Sequence, residues 1–417
     1  MASQQVNKIN PFKPNSPVSS GMFAGRMKEI RALEKGLHQT KNNYGSNFLL
    51  TGERGIGKSS LMNLFRHLAD GSIETDYGRF NFITVNVVIS ERTTLPVMIK
   101  LIERSISREI GKEESVRKFL SDTWSFVQRI KVMDSGIDRA VLDEEPDILI
   151  DEFSYSLSRT CQRISNPEKG ESAKDGIVFM IDEADNASPS LHIGYFFKAV
   201  TELLQQHGCQ KIMFVVAGLP EVTEKLAKSH ESSIRIFNQL KMKELNLVDT
   251  KYVLDRGIEE GNKINQEQTS MGDFAKDHLA TLSEGYPHFI QQFAYSAYEQ
   301  NEDGEISIDD VLVGAFKEGG AIDAIGSRYY ESDYHSKIKS DEYRQVLSIM
   351  AENFSEWIKK SEIREKFTGD DQTLTDALRA LTTRKIILKN PSKMGEYRLQ
   401  QRGFALWIKL FGSRQKK

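Results

Sequence analysis

Cysteine is almost absent from this chain of 417 residues. Cys161 and Cys209 are the two that occur, with no metal-ligand spacing between them. Neither a disulfide framework nor a zinc site is therefore indicated, and a reducing cytoplasm is the expected compartment. Long apolar runs are missing as well. None approaches the roughly 18 to 20 residues a bilayer-spanning helix requires, and the opening Met1-Ala-Ser-Gln-Gln-Val-Asn-Lys8 lacks the apolar middle of a signal peptide. The expectation is a protein neither exported nor embedded in a membrane. The sequence also holds no internal repeat, no low-complexity tract, no protease-like Ser/His pairing, no metal-binding cluster and no nuclease-like constellation of acids.

What is present is length, with a soluble balance. Hydrophobic residues make up 39% and charged residues 28% of the chain, the composition of a soluble, rather helical protein. Its 417 residues exceed one ordinary core and imply two or three domains. The net charge is −3, yet residues 341–417 hold 16 Lys and Arg against 10 Asp and Glu, which leaves −9 for the remainder. A basic terminal unit on an acidic body can mark a nucleic-acid contact or a merely solvated surface.

The most informative stretch is residues 47–62. Phe48, Leu49 and Leu50 read as a buried strand, and Leu61, Met62, Leu64, Phe65 and Leu68 as the buried face of a helix. Between them lies Gly52-Glu53-Arg54-Gly55-Ile56-Gly57-Lys58-Ser59-Ser60. Gly52, Gly55 and Gly57 let the backbone curl so that successive N–H groups face a phosphate, and Lys58 reaches toward the β- and γ-phosphates. Ser59 offers its hydroxyl to Mg²⁺, and the helix start adds the positive end of its dipole. The motif predicts ATP as ligand and Mg²⁺ as cofactor. About 120 residues later, Ile177-Val-Phe-Met-Ile-Asp182-Glu183-Ala-Asp185 reads as a buried strand ending in carboxylates. Asp182 can hold Mg²⁺ through water beside Ser59, and Glu183 can orient and polarise the attacking water.

Around these motifs strands and helices alternate: a strand at 47–51, a helix at 58–69, a strand within 80–89, helices near 95–111 and 147–165, strands at 177–181 and 212–217, and a helix at 190–207. This predicts a parallel sheet sandwiched by helices. Residues 1–22 read as an irregular leader. An amphipathic helix follows, with Met27, Ile30, Leu33 and Leu37 on one face. The α/β core is expected over 23–245 with a charged insertion near 112–146, then a helical lid over 246–335. From 341 to 417, three helices followed by a two-stranded ribbon give the order of a winged helix-turn-helix.

The phosphate loop, the strand ending in Asp182-Glu183, the further strand at 212–217 and the lid resemble the AAA+ superfamily over about residues 20–335. Gly25, Arg26, Glu29 and Leu33 resemble a box found before the phosphate loop in origin-recognition-type initiators and STAND signalling ATPases, which implies an adenine pocket involving Gly25 and Arg26. Both groups carry a winged helix after the lid, so this architecture does not choose between them. The resemblance implies a polar sensor after the strand ending at Ala217, but the chain continues with Gly218-Leu219-Pro220. In the lid, Gly285-Tyr286-Pro287-His288 resembles the Gly-x-Pro of STAND proteins, which implies Pro287 near the base. His288 would either face the phosphates or cap its helix. Arg235 stands where related ATPases carry an arginine that reaches a neighbouring subunit's γ-phosphate, which implies a homo-oligomer and a catalytic role in trans.

In a winged helix the third helix would enter the major groove of DNA. The candidates within 372–398 are Gln372, Thr373, Thr375, Arg379, Thr382, Thr383, Arg384 and Lys385, with Lys389, Lys393 and Arg398 on the ribbon. Asp370, Asp371 and Asp376 crowd the same helix and would repel DNA. In STAND-type proteins the module serves as a latch instead. The expected function is a Mg-ATP-hydrolysing switch that engages DNA or an effector protein, of the initiator, transposition-regulator or phage-defence type. The alternative is a nucleotide-sensing scaffold with little turnover.

Overall fold

The computed structural model describes residues 8–16, 23–110, 114–129, 146–168, 172–332, 334–335, 338, 340–353, 357–384, 386–390 and 392–412. The chain forms two compact units, residues 26–243 and residues 1–25 with 244–417. Among the described residues no helix is long and apolar enough to cross a membrane.

The unit 26–243 runs α1 (Met27–Lys41), β1 (Asn47–Thr51), α2 (Lys58–Ala69), β2 (Ile83–Val88), α3 (Leu95–Ile110), α4 (Glu114–Thr123), α5 (Phe126–Arg129), α6 (Pro146–Ser165), β3 (Ile177–Asp182), α7 (Ile193–Gln206), β4 (Ile212–Gly218), α8 (Glu221–Ser229) and β5 (Phe237–Lys241). The strands form one parallel sheet in the order β2-β3-β4-β1-β5. Helices cover both faces of a parallel sheet, so its inner strands read as continuous apolar runs. Every residue of β1 and β4 is buried, whereas edge strand β2 alternates and leaves Val88 exposed. All strands point the same way, and β1, β3 and β4 end side by side, where open α/β sheets bind ligands.

Four details differ from the expectation. Met27 is exposed and Leu64 only half-buried, so the apolar faces of α1 and α2 are narrower than their sequences suggest. Strand β5 was not anticipated: of its residues only Phe237 is buried, with Asn238 and Gln239 exposed at the sheet edge. Arg235 lies in a 3₁₀ turn, Glu231–Ile236, an element the sequence pattern does not announce. Within the stretch expected as an insertion, Val116, Leu120, Trp124, Phe126 and Val127 join the same core as Phe153 and Phe179. Trp124 also donates its indole N–H to the Thr160 hydroxyl at 2.9 Å. Residues 112–113 and 130–145 of that stretch lie outside the described residues.

The second unit contains α9 (Leu247–Ile264), β6 (Ser270–Met271), α10 (Asp273–Ser283), α11 (Pro287–Tyr298), β7 (Glu305–Ile306), α12 (Ile308–Phe316) and α13 (Ala321–Tyr329). The pair β6–β7 is a short parallel bridge in a region expected to hold no strand. Residues 8–16 lie across these helices. The Ile9 N–H and carbonyl pair with the Asn265 amide at 2.8 and 2.9 Å, and Asn10 donates to the Tyr295 carbonyl at 3.1 Å. Phe12 is buried in the space opened by Gly257, where a Cβ would come within 2.2 Å of its ring. There follow α14 (Asp341–Glu352), β8 (Ile358–Lys359), α15 (Lys360–Lys366), α16 (Asp371–Thr383), β9 (Ile387–Lys389), β10 (Glu396–Leu399) and α17 (Arg402–Phe411), with an antiparallel sheet in the order β8-β10-β9. Helix α17 returns to α13 through an aromatic seam. Tyr330 lies 4.8 Å from Phe404 and Tyr334 5.5 Å from Trp407, and a Cβ on Gly326 would overlap the Trp407 ring.

Candidate nucleotide-binding site

The loop between β1 and α2 is shaped by its glycines. Gly55 and Gly57 adopt φ of 80° and 94°, conformations that L side chains rarely enter. A Cβ on Gly52 would press to 2.8 Å against Ile56 Cγ2. Gly57 ends the loop and α2 begins at Lys58, so the helix N-terminus opens onto the loop. The Lys58 ammonium folds back to donate to the carbonyls of Gly52 at 2.7 Å and Glu53 at 3.0 Å. Burial lowers the Lys58 pKa, an effect opposed by the charges of Asp182, Asp185 and Glu53. Ile56 is buried, Arg54 and Ser59 are exposed, and Glu53 and Ser60 are half-buried.

The strand ending in acids meets this loop from the side. Ser59 Oγ donates to Asp182 Oδ2 at 3.0 Å, although the two residues lie 123 positions apart. Asp182 Oδ1 accepts the Glu183 N–H at 2.8 Å, and Glu183 turns into the left-handed region with φ of 56°. Its exposed carboxylate accepts from Asn186 Nδ2 at 3.2 Å. A hydroxyl and a carboxylate oxygen side by side, with a phosphate cradle beyond, are the hard oxygen donors that Mg²⁺ bound to a nucleotide takes up. The residues therefore fit Mg-ATP. Among the described residues there is no cluster of three or more His, Cys, Asp or Glu that would hold a metal by itself.

The remaining expected positions have contacts of their own. Arg26 is buried and donates to the Ile56 carbonyl at 3.2 Å and to the Lys243 carbonyl, so in this geometry it braces the phosphate loop. Gly25 has φ of 69°, and a Cβ there would lie 2.6 Å from Asp249 Oδ2 at the start of α9. Arg235 is exposed. Pro287 occupies the first turn of α11, and no side chain caps that helix. The His288 ring packs 5.2 Å from Tyr329, and burial, reinforced by the Arg328 charge, lowers its pKa to about 4. Sequence reasoning missed the brace formed by Arg26 and the hold of Asn186 on Glu183; a partner three residues after an acid is visible, its direction is not.

On the candidate DNA-facing elements several of the charges have partners within the same module. Asp370 caps α16 by accepting the Thr373 N–H at 2.7 Å, Gln372 donates to Asp376, and Arg379 pairs with Asp376 at 3.0 Å. Asp371 pairs with Arg364, Lys360 donates to Thr375 at 2.7 Å, and Arg398 lies 4.9 Å above the Trp357 ring. Lys393 approaches Glu396 at 3.9 Å, and Lys385 lies outside the described residues.

A five-stranded parallel sheet with a phosphate loop after β1 and paired acids after β3 defines a P-loop nucleotide-binding fold. It is the AAA+ fold of the origin-recognition type. Residues 22–207 match the family model described as AAA ATPase domain. Two solved structures share the fold across nearly the whole chain. One is the ORC2 protein of Aeropyrum pernix in its ADPNP–ADP complexes, 13% identical with a TM-score of 0.57, covering 97% of this chain and 98% of that one. The other is a Walker-type ATPase of Pyrococcus abyssi, 16% identical with a TM-score of 0.53, covering 93% and 96% respectively. No curated protein matches the sequence.

Proposed function

We propose that this protein is an ATP-hydrolysing switch whose nucleotide state governs its association with copies of itself and with a partner. The observation that carries this reading is the meeting of Lys58, Ser59, Asp182 and Glu183 at the ends of β1 and β3. Bound Mg²⁺ would shield the phosphate charge. Backbone N–H groups of residues 52–57 and the Lys58 ammonium hold the β- and γ-phosphates, exchanging the two carbonyls that Lys58 now engages for phosphate oxygens. Ser59 and Asp182 would supply oxygens to the metal. Glu183 orients the water for in-line attack at the γ-phosphorus and draws off its proton, while the bond to the bridging oxygen breaks and ADP leaves. The exposed Arg235, following α8, is suited to complete a second copy's site.

For the output the notable unit is residues 341–412, which we read as a winged helix. The matched charges on α16 and the ribbon, together with the aromatic seam to α13, favour a module that engages protein over one that reads DNA. The test is steady-state ATP turnover at several protein concentrations, with and without duplex and single-stranded DNA. A specific rate that rises with protein concentration supports Arg235 in trans. Stimulation by DNA that weakens steeply with salt would restore the DNA reading, and indifference to DNA supports the protein partner.

A further inference from the structure

Three strands end beside the phosphate loop, and one of them brings no polar side chain of its own. β1 runs into residues 52–57, β3 delivers Asp182 and Glu183, and β4 ends at Gly218 with Leu219 and Pro220 behind it. A polar group nevertheless stands at that point, and it belongs to Asp185. Its Oδ1 accepts the Leu219 N–H at 2.9 Å. A Cβ built on Gly218 would lie 2.9 Å from that same oxygen. The carboxylate thus fills the volume into which a side chain on β4 would grow. Its charge also reaches Lys58, ranking after Asp182 among the acids that act on it.

The same residue belongs to the turn that carries Glu183. A left-handed conformation at a non-glycine residue persists only where its surroundings over-determine it. Here Asp182 accepts the Glu183 N–H, Asn186 N–H donates to the Glu183 carbonyl at 2.9 Å, and Asp185 ties the turn to the end of β4. From α8, Lys225 clamps the backbone behind, donating to the Asp185 carbonyl and, at 3.0 Å, to that of Ala187.

We propose that Asp185 is a positioning residue for ATP hydrolysis. It takes the place of the polar side chain that β4 lacks and, by joining the end of β4 to the turn after β3, it holds Glu183 in its working conformation. The proposal rests on the reading of the site given above.

The experiment compares Asp185→Ala, Asp185→Asn, Gly218→Asn and the double variant Asp185→Ala/Gly218→Asn in the full chain. It measures kcat and KM for Mg-ATP and the Kd of a non-hydrolysable ATP analogue. Asp185→Ala should lower kcat about tenfold or more while KM and Kd stay within about threefold. Asp185→Asn keeps an oxygen for the Leu219 N–H and should retain at least roughly a third of kcat. Gly218→Asn alone should be impaired, because its Cβ meets the carboxylate. Removing that carboxylate leaves Asp185 N and Val222 Cβ, each at 3.1 Å, as the near neighbours. The double variant should then exceed both singles, a coupling of reversed sign that loss of structure does not produce.

Wild-type kcat in Asp185→Ala, or a double variant no better than either single, overturns the proposal. A tenfold loss in a folded Asp185→Asn also overturns it, since charge and not position would then be at work. If the wild-type chain fails to bind the analogue, the reading of the site falls with it. If it binds and hydrolyses but is indifferent to Asp185, only this inference falls.

Discussion

Glu183 stands in a conformation that costs energy, and replacing it by glycine should release part of that cost while destroying turnover. At φ of 56° a residue with a Cβ carries a penalty of about 1–2 kcal/mol. Glycine removes this penalty but gives back about 0.5–1 kcal/mol through the greater freedom of the unfolded chain. The bond from Asn186 that would be lost is exposed, so its net worth is small. Glu183→Gly should therefore stabilise the unit 26–243 by up to about 1 kcal/mol, which raises its Tm by at most roughly 2–4 °C for a unit of this size. Losing the carboxylate proposed to orient the attacking water should at the same time lower kcat by about 10²–10⁴. Glu183→Gln is the matched control: it keeps the strained backbone and an oxygen for Asn186, so its Tm should be that of the wild type while its kcat falls. Calorimetric unfolding without nucleotide, followed by steady-state turnover, reads both effects. A Tm in Glu183→Gly lower than in Glu183→Gln would refute the strain argument. Undiminished turnover in Glu183→Gln would remove this residue from the chemistry.

Lys58→Ala should abolish ATP binding, as judged by titration with a fluorescent analogue, because it removes the side chain we propose for the β- and γ-phosphates; retained affinity would contradict the assignment of the loop. Phe12→Ala empties a fully enclosed site and should destabilise the second unit by about 3–5 kcal/mol in urea unfolding; a loss under about 1 kcal/mol would mean that the N-terminal segment contributes little. Acid should weaken the second unit through His288. Its folded pKa of about 4 lies below the ordinary value of 6.5, so the unfolded chain takes up the proton first. The stability this neutral ring contributes is complete above pH 6.5 and declines as pH falls toward 4. In His288→Gln the fall of Tm over that range should be shallower, and an unchanged slope would show that the ring is not protected from protonation.

The parts legible in the sequence are those where local pattern and burial coincide. The runs Phe48–Leu50, Ile177–Ile181 and Ile212–Ala217 are apolar because helices cover both faces of the sheet, and each forms a strand where its composition indicates. Helix α2 begins at Lys58 because the glycine geometry of the loop leaves no choice. Strand β5 was hidden because an edge position asks little of its residues: Phe237 anchors it and the main chain pairs with β1, so Asn238 and Gln239 give no apolar signal. Residues 8–16 looked irregular because their partners are distant in sequence, and Asn10 meets Tyr295 across 285 positions. Arg26 could be recognised as part of a box, but its grip on the Ile56 carbonyl depends on the tertiary approach of α1 to the loop. Asp185 was visible as a letter, while its contact with Leu219 exists only because β3 and β4 are neighbours.

The hold of residues 8–16 on α9 and α11 also orders events during synthesis. The segment leaves the ribosome ahead of residues 26–243, yet the helices that bury Phe12 and receive Asn10 begin at Leu247. Residues 26–243, a compact unit of their own, are complete before those helices emerge, and domains commonly fold as units during translation. The nascent chain must therefore carry an unburied phenylalanine through the birth of a whole domain. In a cell this interval is the one in which a chaperone that captures short apolar segments has a target, and it closes only once the chain past Tyr298 has been released.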